Sequence, residues 1–293
     1  MNQSNKRTFG IAATIASASL FGCMPLFVKT ITAGGGNSLM ITFLRFLLSL
    51  PALYLFLKWK NVSLSITKDE LRKLLILTLI GYSGTPALLF ASYSYIPSGM
   101  ATTIHFCYPA FTIIGCILFL KQKPQPAKIL SIILCMIGIL LFYNGGGNSE
   151  NALLGMGLAF LSGITYSFYV IYLDASGLQE MPTFKTIFYM HLIATPFIGL
   201  ITYFSGSFTF SLTPVAWAVM IFMAIALCFI SVYGFQIGVK YVGPSTATIL
   251  STFEPITSLI VGIFLFNEVL QFKNIIGCVA ILAATVIIGK QKD

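Results

Sequence analysis

The chain has 293 residues, 57% of them hydrophobic, 14% aromatic and only 9% charged, with a mean hydropathy of +0.91. Soluble domains carry about a quarter of their residues charged, so a soluble fold would lack the polar surface needed to cover this much apolar side chain. Composition therefore excludes a soluble enzyme, a nucleic-acid-binding domain and a disordered chain, and it reads as an integral membrane protein.

Ten apolar segments follow one another, near residues 9–32, 38–57, 74–95, 98–120, 127–144, 153–173, 184–204, 215–236, 244–266 and 273–289. Each approaches the about 20 residues a helix needs to cross a hydrocarbon core of about 30 Å. The first follows Lys6 and Arg7, and Ala16-Ser17-Ala18 resembles a signal-peptide cleavage site, but apolar sequence continues to Val28. An uncleaved first span is therefore expected. Strands of a membrane barrel alternate in polarity, whereas residues 129–143 and 275–288 are apolar all round. The spans read as helices.

Lys and Arg number 17 against 8 Asp and Glu, a net charge of +9. With the N-terminus inside, 14 of them face the cytoplasm: Lys6, Arg7, Lys58, Lys60, Lys68, Arg72, Lys73, Lys121, Lys123, Lys128, Lys185, Lys240, Lys290 and Lys292. Only Lys29 and Lys273 fall opposite, and Arg45 lies within a span. This split follows the positive-inside rule, places both termini in the cytoplasm and makes the plasma (inner) membrane the expected location. It also accounts for the basic charge without a nucleic-acid partner. The six Cys all lie in apolar runs, without CxxC or metal-ligand spacing, and read as small hydrophobes. No metal or cofactor is expected.

Self-comparison shows a repeat. The stretch from Tyr95 (Tyr-Ile-Pro-Ser-Gly-Met-Ala-Thr) runs parallel to that from Tyr241 (Tyr-Val-Gly-Pro-Ser-Thr-Ala-Thr) at an offset of 146. Ala101 then meets Ala247, Thr102 meets Thr248 and Pro109 meets Pro255, while Pro51 meets Pro196 at an offset of 145. Five spans per half is an odd number, so the second half must be inverted. The expected fold is an all-α integral membrane protein, its ten transmembrane helices forming two inverted five-helix repeats, 1–146 and 147–293. Inverted repeats suit carriers that expose a midplane site alternately to either side.

The residues from Tyr241 to Pro255, then Ile263-Phe-Leu-Phe-Asn-Glu268, then Ile276-Gly277, make the resemblance specific. They place small residues, a Pro, an apolar run ending in Glu, and a Gly in the last two helices, with Lys121-Gln122 standing in the first half where Asn267-Glu268 stands in the second. The whole chain resembles the EamA-type branch of the drug/metabolite transporter superfamily, although Phe21-Gly22 replaces the Trp-Gly common in the first span. The resemblance implies a central cavity lined by spans 1, 3, 4, 6, 8 and 9, with spans 5 and 10 peripheral. It also implies carriage, often outward, of small solutes such as amino acids, nucleobases or amines.

Soluble-enzyme and ATPase signatures, including GxxxxGK[ST], GxGxxG before a helix, HExxH and GxSxG, are missing from the sequence. Polar groups inside the spans carry the information instead, because an intramembrane charge costs at least a few kcal/mol. Glu254 lies near the middle of span 9, with Tyr108 as its repeat equivalent, and fits either proton coupling or the counter-charge for an amine. His105, in the matching stretch of span 4, is the nearest candidate to share its proton; its other reading, like that of His191, is a structural hydrogen bond. Arg45 reads as a snorkelling anchor or as a contact for a substrate anion.

Pro109 and Pro255 free the carbonyls of His105 and Ser251, next to polar side chains such as Thr102, and are expected to hinge the helices facing the cavity. Pro25 and Pro86 read as hinges or as packing kinks of spans 1 and 3. Tyr166 and Tyr169 are mid-span and join the candidate contacts, while Tyr82, Tyr93, Tyr95 and Tyr172 read as belt or packing residues. Gly34-Gly35-Gly36 and Gly145-Gly146-Gly147 read as outer connectors, and Gly234-Phe-Gln-Ile-Gly238 as a close-packing or dimerisation motif.

The resulting expectation is a secondary, non-ATP carrier moving a small polar or amphipathic metabolite, coupled to a proton or cation or to the substrate gradient alone. Its partners are that small molecule and the bilayer, with monomer and homodimer both open. The alternative is a non-transporting membrane scaffold.

Overall fold

The computed structural model describes residues 3–96, 98–142, 151–266 and 272–290. The expected boundary at 146/147, Gly145 to Gly147, Asn267-Glu268 and Lys292 lie outside the described residues. Among the described residues all regular structure is helical, with no strand.

Eight helical segments are long and apolar enough to cross a membrane: Gln3–Ala33 (span 1), Ser38–Trp59 (span 2), Lys68–Ser92 (span 3), Met100–Phe119 (span 4), Ala152–Ala175 (span 6), Thr183–Phe204 (span 7), Pro214–Val242 (span 8) and Pro244–Leu265 (span 9). Two shorter apolar helices, Pro126–Leu141 (span 5) and Phe272–Ile288 (span 10), complete the ten. Local chemistry sets several of the boundaries. Asn37 caps span 2 by accepting from the Met40 amide at 2.9 Å. Thr67 and Glu70 form a reciprocal capping box at the start of span 3, which ties down two amides that a helix start leaves unpaired.

The packing repeats as the sequence does. Span 3 lies against span 6 and span 8 against span 1; span 4 against span 6 and span 9 against span 1; span 2 against span 8 and span 7 against span 3. Spans 2 and 7 pair with each other, as do spans 5 and 10. Two glycines show the equivalence at atomic scale. A methyl built on Gly10 would come within 2.9 Å of Tyr241 Cβ, and one on Gly155 within 2.7 Å of Tyr95 Cβ. Each glycine thus admits the same close approach of the equivalent tyrosine from the opposite half. The Gly234–Gly238 motif is likewise spent inside the chain: Gly234 abuts the Ala13 carbonyl, and Gly238 the Thr14 hydroxyl.

Spans 5 and 10 form an outlying pair. Gly138 lets span 5 approach Ile281 and the Gly277 carbonyl, and their outward faces, with Ile133, Ile137, Val279 and Val286, are exposed. Such a face suits lipid tails.

Five of the other spans are interrupted. Span 1 breaks at Cys23, span 4 between His105 and Tyr108, and span 9 at Thr252. Spans 3 and 8 each contain a six-residue π-helical stretch, Leu77–Tyr82 and Leu227–Val232, a geometry that often marks functional positions. Pro25, Pro86, Pro109 and Pro255 all stand in the first turn of the helix that follows an interruption. There a missing N–H removes no helical bond. Pro51 and Pro196, by contrast, sit inside continuous helices.

Candidate functional site

The breaks in spans 4 and 9 bring a polar cluster to the middle of the bundle. Thr252 ends the helix Pro244–Ser251, and Glu254 falls in the first turn of Phe253–Phe266, where the opening N–H groups have no partner within the helix. The carboxyl interacts electrostatically with the hydroxyls of Tyr93, Tyr108 and Tyr166. Among the described residues, no cation pairs with it. Gly22 of span 1 closes on the same turn, its position 2.6 Å from the Glu254 carbonyl when a methyl is added.

Tyr108, the repeat equivalent of Glu254, is buried, bonds Ser251 through its hydroxyl and packs edge-on against Tyr166 with ring centroids 4.6 Å apart. Ser251 also donates to the Ala247 carbonyl at 2.9 Å. Thr102 donates to the Ser98 carbonyl at 2.7 Å and lies 3.4 Å from the Tyr93 hydroxyl. His105 bonds Ser162 through Nδ1 at 2.9 Å, and no hydrogen bond joins it to Glu254. Tyrosines share Glu254's surroundings, and His105 packs against two of them, with ring centroids 5.4 Å from Tyr108 and 5.7 Å from Tyr166.

A second cluster gathers where the two halves meet. His191 is 1% exposed, and both ring nitrogens are engaged: Nδ1 with Ser49 at 2.5 Å and Nε2 with Tyr82 at 2.9 Å. Cys228, in the π-helical part of span 8, bonds Ser49 and interacts with Arg45. Arg45 lies over the Phe46 ring at 4.9 Å and interacts with Tyr82, with no carboxylate partner among the described residues. Both π-helical stretches thus supply a side chain to one cluster.

Tyrosines connect the two centres. Tyr166 packs on Tyr169 at 5.7 Å and Tyr169 on Tyr82 at 5.5 Å. Gln236 of span 8 donates to the Tyr169 hydroxyl at 3.1 Å and to Met190 sulfur at 3.3 Å. Sequence reasoning had set Tyr82 and Tyr93 aside and passed over Ser49 and Gln236; the lone amide within the apolar run after Tyr233 was the available signal. Among the described residues there is no grouping of His, Cys, Asp or Glu that could hold a metal, and the six cysteines are free thiols.

A polytopic helical bundle with interrupted helices and ionisable groups at its centre is the architecture of a membrane carrier. Two stretches, residues 8–144 and 153–290, match the EamA-like transporter family, and the chain belongs to that family. An uncharacterized transporter of Archaeoglobus fulgidus is 26% identical, with 97% of each chain covered. A UDP-galactose/UDP-glucose transporter 7 of Arabidopsis thaliana is 27% identical over 48% of this chain and 43% of its own. One solved crystal structure superposes with a TM-score of 0.82 at 15% identity, covering 97% of this chain and 96% of its own, which speaks to the fold alone. The resemblance read from the sequence is correct, and the protein is a multi-pass membrane transporter rather than an enzyme.

Proposed function

We infer that this chain moves a small polar or amphipathic metabolite out of the cell by alternating access, without ATP, from a plasma membrane in which both termini face the cytoplasm. The candidate cargo is an amino acid, a nucleobase or an amine. One observation carries the reading: Glu254, at a helix break in mid-membrane, interacts with three tyrosine hydroxyls and, among the described residues, pairs with no cation. An intramembrane carboxyl held at a cost of about 2.5–3.5 kcal/mol has its rationale in a proton or a cationic group that comes and goes. The nucleotide-sugar name of the Arabidopsis relative belongs to that protein; a midplane acid favours a cationic or neutral cargo here.

The test is flux into proteoliposomes for those solutes in an amino acid, nucleobase and amine panel that raise the melting temperature of the detergent-solubilised protein. Glu254→Gln keeps shape and hydrogen bonding but removes the titration. Its expected effect is a loss of pH-dependent or cation-selective flux on the order of tenfold, about 1.4 kcal/mol, with unchanged expression. An unaltered pH profile would remove Glu254 from the mechanism. No flux of any solute above empty vesicles would favour a scaffold.

A further inference from the structure

The basic end of the bundle carries a crevice that the midplane chemistry does not use. Its vestibule, 390 Å³ in volume, is bordered by Glu70 and Lys73 of span 3, Glu180 of the 176–182 loop and Lys185 of span 7. Below it a throat of 10 Å³ runs between spans 6, 7 and 8 past Thr186, Gln236 and Lys240. Vestibule and throat share Leu178 and Met181 in their linings, so the two adjoin.

Three features make the throat more than a surface fold. Thr186 is 1% exposed, and its hydroxyl has no hydrogen-bond partner among the described residues. An orphaned hydroxyl in a dry interior costs about 1–3 kcal/mol, and one bordering a passage loses that penalty whenever something polar goes by. Gln236, 4% exposed, borders the throat and donates its amide to Tyr169, so one side chain touches both the throat and the tyrosine row that leads to Glu254. The mouth is tied shut by bonds that depend on no burial of charge against charge. Lys240 donates to the Gln179 carbonyl at 2.7 Å, Lys185 to the Ser65 carbonyl at 2.5 Å, and Tyr189 to the Leu64 carbonyl. All of these join a helix to an adjoining loop.

The helices beside the throat are tightly packed. Every residue of Pro244–Ser251 is buried, as is the whole of 234–239. Around Glu254 and toward the opposite end, Tyr93, Thr102, Tyr166 and Thr257 are only partly buried. Among the described residues, the throat is a gap beside these tightly packed stretches.

We propose that the cytoplasmic access to the midplane site runs through this crevice, with Gln236 as its inner gate and the Lys240–Gln179 bond as its outer latch. The proposal rests on the carrier reading and on the basic end being cytoplasmic. Breaking the Gln236–Tyr169 bond frees both partners to swing, and the passage then joins the vestibule to Tyr166 and Glu254 while the opposite end closes.

A charged, membrane-impermeant methanethiosulfonate is the probe, applied to Tyr166→Cys in right-side-out and inside-out vesicles, with modified peptides located by mass spectrometry. Modification from both faces is expected. Adding Thr186→Trp should slow the cytoplasmic rate about tenfold or more and leave the outer rate within about twofold, which also reports an intact fold. Gln236→Ala removes bulk from the gate and should raise the cytoplasmic rate severalfold. A cytoplasmic rate indifferent to both changes would overturn the route while leaving the carrier reading in place. Absence of cytoplasmic modification in Tyr166→Cys and in Gln236→Ala alike would overturn both.

Discussion

Phe46 and His191 are repeat equivalents, 145 positions apart in sequence, and their rings touch with centroids 5.1 Å apart. Equivalent residues can meet in this way only where the pseudo-two-fold axis passes between them, so the contact marks where the two halves join. The halves have diverged at this point: one contributes a hydrocarbon ring, the other a ring whose two nitrogens hold Ser49 and Tyr82.

His191→Phe restores the symmetry of the pair and removes both hydrogen bonds. Intramembrane side-chain bonds average about 0.6 kcal/mol and reach about 1.7. The substitution should therefore destabilise the protein by about 1–3 kcal/mol, read as a lower melting temperature in detergent. An unchanged melting temperature would reduce the cluster to packing.

Gly238→Ala drives a methyl into the Thr14 hydroxyl, and overpacking of this kind costs about 1–3 kcal/mol. Span 8 should separate from span 1 enough to lower thermal stability, and Thr14→Ala should recover most of the loss in the double variant. Equal stability of Gly238→Ala and the parent protein would mean that these two spans do not approach as closely as described.

Single cysteines at Ser65 and Ser211, exposed at opposite ends of the bundle, should be modified by an impermeant maleimide from opposite faces, Ser65→Cys from the cytoplasm. Modification of both from one face would overturn the ten-span topology.

The prolines and repeat offsets were legible because each recurs: a broken helix must restart, Pro suits its first turn, and the inverted half writes the signal twice. Glu254 was legible alone, as an acid in the middle of an apolar run. Its company was not. Tyr82 and Ser49 lie 109 and 142 residues from His191, and only the folding of spans 2, 3 and 7 together creates the cluster. Nothing in Leu77–Tyr82 or Leu227–Val232 distinguishes a π-helical stretch from an ordinary apolar turn, since both bury the same side chains and differ by one residue of winding. The neighbours of His105 were hidden for a related reason: depth in the membrane fixes one coordinate, and the direction in which a side chain leaves its helix fixes the others.

The interruptions in spans 4 and 9 also have a mechanical meaning. An unbroken transmembrane rod tilts as one lever, so opening one mouth would displace the far end and strain the lipid there. A rod jointed at its middle can lean on one side of the joint while the other half stays seated against its neighbours. With one such joint in each half of the chain, the two leaflets can be disturbed in turn, and the membrane need never yield across its full thickness at once.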